Sequence, residues 1–98
     1  MKLNYITNGD SLNLLKELSD NSIDLVVTSP PYDNMRSYGG VIDQWNEDKF
    51  KAIAKELART LKDGGVIVWI VADQTINGSE SGSSFKQALF FKEIGLNI

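Results

Sequence analysis

The residues best suited to chemistry stand together in one short stretch, Thr28-Ser29-Pro30-Pro31-Tyr32. Two successive prolines remove two backbone donors, and the first confines Ser29 to extended geometry. Carbonyl oxygens near Ser29 and Pro30 are thereby held in fixed directions, the Ser29 hydroxyl adds an acceptor, and Tyr32 adds a flat π-face. A planar molecule bearing an amino group fits this set: its N–H groups meet the oxygens while its ring stacks on the tyrosine, and stacking of a base on an aromatic is worth about 1–3 kcal/mol. Fixed acceptors aimed at an NH2 group draw its lone pair out of ring conjugation. The nitrogen becomes a better nucleophile by preorganisation, with no proton relay. The bland alternative is a rigid strand exit. Its setting speaks against it, because an apolar run, Leu25-Val26-Val27, leads into the motif and Gly9-Asp10 stands at the end of an earlier predicted strand.

Such a tip needs a sheet beneath it. The run at 24–28 and the second apolar run at 66–72 (VIVWIVA) read as strands buried on both faces of a parallel sheet. A short, partly alternating segment at 3–7 reads as a third strand. Helices are predicted near 11–19, capped by Asp10 or Ser11, and near 46–62, where Phe50, Ile53, Ala54, Leu57, Ala58 and Leu61 recur at helical spacing. Gly64-Gly65 is expected to end that helix, and a last helix near 84–94, capped by Ser83 or Ser84, runs to Gly95. Phe50 and Trp69 read as core residues. The alternation of strands and helices predicts an α/β fold with three parallel strands, right-handed crossovers and helices on both faces. Ligands of such sheets bind beyond the carboxyl ends of the strands, where Asp10, residues 29–32 and Asp73 all fall.

Composition sets the limits. The chain has 98 residues, 42% hydrophobic and 23% charged, as expected of one modest globular domain. It has no cysteine and no histidine, which argues against disulfides and transition-metal sites. No apolar run approaches the ~20 residues of a membrane helix and the start lacks a signal-peptide core, so the cytoplasm is the expected location. A net charge of −3 without a basic cluster leaves most of any nucleic-acid surface to be supplied from elsewhere.

The stretch NGDSLNLLKELSDNSIDLVVTSPPY resembles the amino-terminal block of the S-adenosylmethionine-dependent amino methyltransferases of DNA, which carry a (Asp/Asn/Ser)-Pro-Pro-(Tyr/Phe) motif. The likeness continues through a helix at 46–61, a strand introduced by Gly-Gly (GGVIVWIV) and a last helix ending near a glycine, and so covers nearly the whole chain. It implies an incomplete Rossmann-like methyltransferase fold. It also implies that Ser29 and the Pro30 carbonyl hold the target amino group, Pro31 keeps the geometry and Tyr32 stacks on a base flipped from the duplex. Asp10 matches an acidic residue that contacts the adenosine part of S-adenosyl-L-methionine; the plain alternative is a helix cap. Arg36 and Tyr38 are candidates for substrate or phosphate contact, although a loop arginine is commonly solvated. Asp73 matches no element of the motif.

The chain departs from the family pattern in one respect. It has no Phe-x-Gly-x-Gly cofactor motif, and in relatives whose catalytic motif comes first both that motif and the target-recognition region lie downstream. Residues 1–98 therefore read as the amino-terminal, catalytic-motif part of a DNA methylase domain, inactive alone. The predicted sheet is narrow, and the last helix carries an over-wide apolar band of Phe85, Ala88, Leu89, Phe90, Phe91 and Ile94. The isolated chain is expected to form a homo-oligomer through that helix or the open sheet edge. Two other readings compete: a non-catalytic, self-associating remnant, and an enzyme acting on RNA or a protein glutamine. The glutamine enzymes carry Asn where Ser29 stands.

Overall fold

The computed structural model describes residues 4–30, 46–73, 75–76, 78–80 and 82–98. Its centre is a parallel pair of strands, β1 (Ile23–Thr28) and β2 (Leu61–Trp69), joined through helix α2 (Glu47–Thr60). Helix α1 (Ser11–Lys16) precedes β1, and helix α3 (Ser83–Glu93) follows a short antiparallel ribbon of β3 (Thr75–Ile76) and β4 (Ser79–Glu80). The α/β class, β1 and the three helices stand where the sequence places them, whereas the strand expected at 66–72 begins at Leu61 and ends at Trp69.

The third strand does not form. Among residues 4–7 there is no strand, Asn4 takes a positive φ of 54°, and Ile6 is 95% exposed. A strand exists only by pairing, and the described sheet holds just β1 and β2, so this segment has no ladder to join. The glycine pair also acts differently from expectation. Helix α2 ends at Thr60, Leu61 is already extended, and Gly64, at φ 81°, lies inside β2. There Ile23 pairs Leu61 while Leu25 pairs Val66, so Asp24 alone stands against residues 62–65. The glycines permit this bulge instead of capping a helix. The last orphan carbonyls of α2 are met by the turn before β1, where the amides of Asn21 and Ser22 donate to Arg59 and Thr60 at 3.0 and 2.7 Å.

Packing explains the helix order. The apolar stripe of α2 buries Phe50, Ile53, Ala54 and Leu57. Phe50, Ala54 and Phe91 form a buried core cluster, with Ile67, Trp69, Phe90, Ile94 and Leu96 packed against it. Phe50 meets the rings of Trp69, Phe90 and Phe91 edge-on, at centroid distances of 5.6, 5.6 and 5.5 Å. Phe50 and Trp69 are core residues, as their pattern indicates. The wide band of α3 is thus partly absorbed: Phe91 is buried, whereas Phe85 and Leu89 remain 69% and 66% exposed.

Helices on both faces were expected; the described helices cover one. α1 lies against α2, and α3 shares the α2 cluster, so the side chains of Ile67 and Trp69 point into a helical layer. The alternate residues Leu25, Val27, Val66, Val68 and Ile70 are 41–61% exposed on the other side.

Candidate functional site

The motif lies at the carboxyl end of β1. Thr28 pairs with Trp69, and its carbonyl then accepts from the Ile70 amide at 3.0 Å, so the ladder continues to the last residue before Ser29. Ser29 is exposed and Pro30 is buried. A buried proline two residues after a ladder-held threonine gives the strand tip little room to move, because its φ is fixed and its ring is packed. Pro31, Tyr32, Arg36 and Tyr38 lie outside the described residues.

The elements around the tip converge on the same end of the fold. Helix α2 starts there, with the Asn46 side chain accepting from the Lys49 amide at 2.8 Å. Asp10 is brought there too, by α1, whose carboxyl end is held at the opposite pole by Arg59. That guanidinium donates to the Leu18 and Leu15 carbonyls at 2.8 and 3.0 Å and to the carboxylates of Asp20 and Glu56, both at 2.6 Å. The Asp20 and Glu56 carboxylates raise the Arg59 pKa further above its already high ordinary value. One side chain therefore pins α1 to α2 and sets where Asp10 stands.

The structure gives Asp10 the capping role. Its Oδ2 accepts from the Asn13 amide at 3.1 Å, and its Oδ1 lies 3.3 Å from the Lys49 ammonium. The Asn13 hydrogen bond, followed by that of Lys49, lowers the Asp10 pKa below its ordinary value, so the group is a carboxylate throughout the neutral range. At 44% side-chain exposure it retains acceptor capacity. A single acidic side chain is not a complete site for S-adenosylmethionine. Two cavities among the described residues, of about 610 and 210 Å3, do not have Asp10 in their lining. The described residues do not by themselves fit the cofactor.

Asp73 caps as well: its Oδ1 accepts from the Ser84 amide at 2.7 Å, tying the loop after β2 to the start of α3. Helix α3 thus begins with Gly82 in left-handed geometry and takes its cap from a distant carboxylate, not from Ser83 or Ser84. Two positions escaped the sequence reading. Lys49 meets Asp10 from 39 residues away, and Gln87 accepts from the Trp69 indole at 2.9 Å. Helical spacing alone carries no signal for either pairing.

Comparison with known proteins settles what kind of chain carries this tip. Residues 23–98 match the family model described as DNA methylase, the N6/N4 amino methyltransferases. The chain belongs to the DNA methylase family. It is 52% identical over 83 residues, 85% of its length, to the orphan methyltransferase M.BamHII of Bacillus amyloliquefaciens. It is 36% identical over 64 residues, 61% of its length, to the DNA adenine methyltransferase YhdJ of Escherichia coli. Among solved structures, a putative DNA modification methylase from Thermus thermophilus superposes on 91% of the chain with a TM-score of 0.71 at 26% identity. The chain spans only 29% of the first relative, 22% of the second and 39% of the solved chain. The methylase resemblance read from TSPPY is therefore correct. No helix among the described residues is long and apolar enough to cross a membrane, and no group of three or more metal-ligating side chains gathers there.

Proposed function

We propose that residues 1–98 supply the base-holding part of a DNA amino methyltransferase that uses S-adenosyl-L-methionine. The observation that carries this is the tip of β1, where a ladder-held Thr28 leads to an exposed Ser29 and a buried Pro30 in a chain of the DNA methylase family. Ser29 and the Pro30 carbonyl accept from the exocyclic amino group of a flipped base, Pro31 fixes their direction, and Tyr32 stacks on the ring. The amino nitrogen is that of cytosine N4 or adenine N6. Serine at position 29 leans toward cytosine, while YhdJ is named for adenine. The methyl donor is held chiefly by residues beyond this segment, with Asp10 at most one contact. A DNA substrate places the work in the cytoplasm. The isolated segment self-associates, because large contiguous apolar patches are rare on monomers.

The test is a radiolabelled methyl-transfer assay on unmethylated DNA, followed by nucleoside analysis. Residues 1–98 alone should give negligible incorporation and weak or undetectable donor binding, because proximity and orientation contribute about 7–11 kcal/mol to a two-substrate step and vanish when one substrate is unbound. A hybrid joining the segment to the remainder of M.BamHII should methylate one base type. In that hybrid, Ser29→Ala should lower kcat more than it alters donor binding. Robust transfer by the isolated segment would overturn the assignment of donor binding to residues elsewhere.

A further inference from the structure

Lys16, Arg59 and Lys92 stand in the last turns of α1, α2 and α3, where the helix dipole favours a cation. Lys86 breaks that pattern. It is the fourth residue of α3, whose first turn carries no acidic residue, and it forms no ion pair with a described residue. The dipole disfavours a cation in that place, and an anion beside it removes the cost. Lys86 lines a groove of about 210 Å3 between the starts of α2 and α3, with Phe50 and Phe90 as its apolar walls. Lys51 reaches it from α2, its ammonium 5.5 Å from the centre of the Phe90 ring and 3.4 Å from Glu47 Oε1. Gln87 supplies a third donor. Its carbonyl oxygen accepts from the Trp69 indole at 2.9 Å, and because an indole N–H only donates, the amide is turned with its NH2 group away from Trp69. Ser83 adds a hydroxyl. Of the polar side chains lining the groove among the described residues, Glu47 alone cannot donate a hydrogen bond.

We propose that this groove holds backbone phosphate of the DNA strand that carries the target base. The proposal rests on the methylase reading above. Charge selects an anion, since two ammonium groups and an amide NH2 stand against one carboxylate. Position selects the nucleic-acid backbone. β1 and β2 run parallel with Thr28 beside Trp69, so both end at one pole. Helix α2 starts there, and Asp73, just beyond β2, ties the start of α3 there through the Ser84 amide at 2.7 Å. A groove between those two helix starts therefore lies at the pole that carries the tip of β1. A base flipped into that tip brings its own backbone to the same end. The Lys51–Glu47 pair does not oppose this. It is an exposed i,i+4 pair, of a kind that holds its partners weakly, so the ammonium can pass to a phosphate oxygen at little cost. The contact orients the strand and reads no sequence. An acidic protein segment would meet the same donors, but the methylase reading brings DNA to this pole.

The test titrates the 98-residue chain with an unmethylated DNA duplex over a series of salt concentrations, followed by anisotropy of the labelled duplex and by the side-chain amide resonances of the chain. The Gln87 NH2 resonances should move as duplex is added. Lys51→Gln and Lys86→Gln should each weaken binding and each reduce the salt slope by about 1. Lys92→Gln, at the far end of α3, should change neither. Gln87→Glu keeps an acceptor for Trp69 and replaces the NH2 group by an anion, so it should abolish binding. Glu47→Gln removes the anion from the groove and releases Lys51, so it should tighten binding. A merely structural role for Glu47 gives no such gain, because its loss removes an ion pair. Absence of duplex binding at low salt overturns the proposal, as do unchanged slopes in both lysine variants or weaker binding by Glu47→Gln. Equal movement of the Gln87 resonances with inorganic phosphate overturns it in favour of a small-anion site, and with poly-glutamate in favour of an acidic protein segment. A hybrid with M.BamHII that transfers no methyl group while these effects persist would sink the base-holding reading and leave the groove. Transfer by a hybrid carrying Lys51→Gln and Lys86→Gln at unchanged KM for DNA would do the reverse.

Discussion

Phe50 should be the residue whose truncation does most damage. It is 4% exposed in the first turn of α2 and meets three rings edge-on, Trp69 of β2 and Phe90 and Phe91 of α3. It therefore joins the sheet and two helices at one point. Emptying a buried phenylalanine site costs about 3–5 kcal/mol, and each edge-to-face pair adds about 0.5–1.5 kcal/mol beyond burial. Phe50→Ala is expected to lose about 4 kcal/mol, and Phe50→Leu, which keeps most of the volume and loses the ring contacts, about 1–3 kcal/mol. A chain of 98 residues has about 5–15 kcal/mol to lose, and a sheet whose one face the described helices leave uncovered belongs at the low end. Urea unfolding followed by tryptophan emission in a Trp45→Phe background reports Trp69 alone, since the chain has two tryptophans. With a slope of about 1–2 kcal/mol/M, the Phe50→Ala midpoint should fall by about 2–4 M. A loss below about 1 kcal/mol at unchanged slope would show that α3 is held by something other than this cluster, and would refute the packing argument.

Arg59→Met should loosen α1, because the Leu15 carbonyl and the Leu18 carbonyl just beyond the helix each lose a guanidinium donor, so the α1 amides should exchange faster while those of β1 and β2 keep their protection. Gly65→Ala should destabilise by about 1–3 kcal/mol in thermal melts, because a Cβ there would lie 2.8 Å from the buried Leu61 side chain and 2.9 Å from the Lys62 carbonyl. Asp10 has a folded pKa lowered by the Asn13 amide and Lys49, so its contribution is complete above the unfolded carboxylate pKa and disappears as pH falls through the lower folded one. The Asn13 amide resonance should report that titration below the ordinary aspartate range, and in Asp10→Asn the transition should vanish.

The sequence is most informative where burial repeats with a period. The stripe of α2 shows in Phe50, Ile53, Ala54 and Leu57 because these side chains recur on one helical face, and all four are buried. The strands show as aliphatic runs for the same reason. What those runs do not reveal is which side has a neighbour. Leu25 and Ile67 are equally apolar, yet one is exposed and the other packs on the aromatic cluster. Local pattern is equally silent on partners far along the chain. Residues 4–7 carry strand-like alternation without a strand to pair with, and Gly64-Gly65 carries a helix-stop signature that the fold uses as a bulge. Asp10, one of the two caps that the sequence offers for α1, does cap it, but Lys49, which completes its environment, lies 39 positions away.

The tip of β1 and the bare face beside it follow from one division of labour. What holds the tip lies within the sheet plane or beneath it: the Thr28–Ile70 hydrogen bond, the buried Pro30, and the Phe50–Trp69 contact under the same strand ends. None of these uses Leu25, Val27, Val66 or Val68. The end of β1 can therefore be ordered by this segment while, among the described residues, the opposite face of the sheet is open. The two remain coupled through stability. Whatever covers the aliphatic face binds the folded state alone, and it stabilises by RT ln(1 + [L]/Kd), about 2.7 kcal/mol when present at a hundred times Kd. That is a large fraction of the stability of a chain this small. A partner on that face therefore raises the folded fraction of the segment, and with it the fraction in which the end of β1 is ordered.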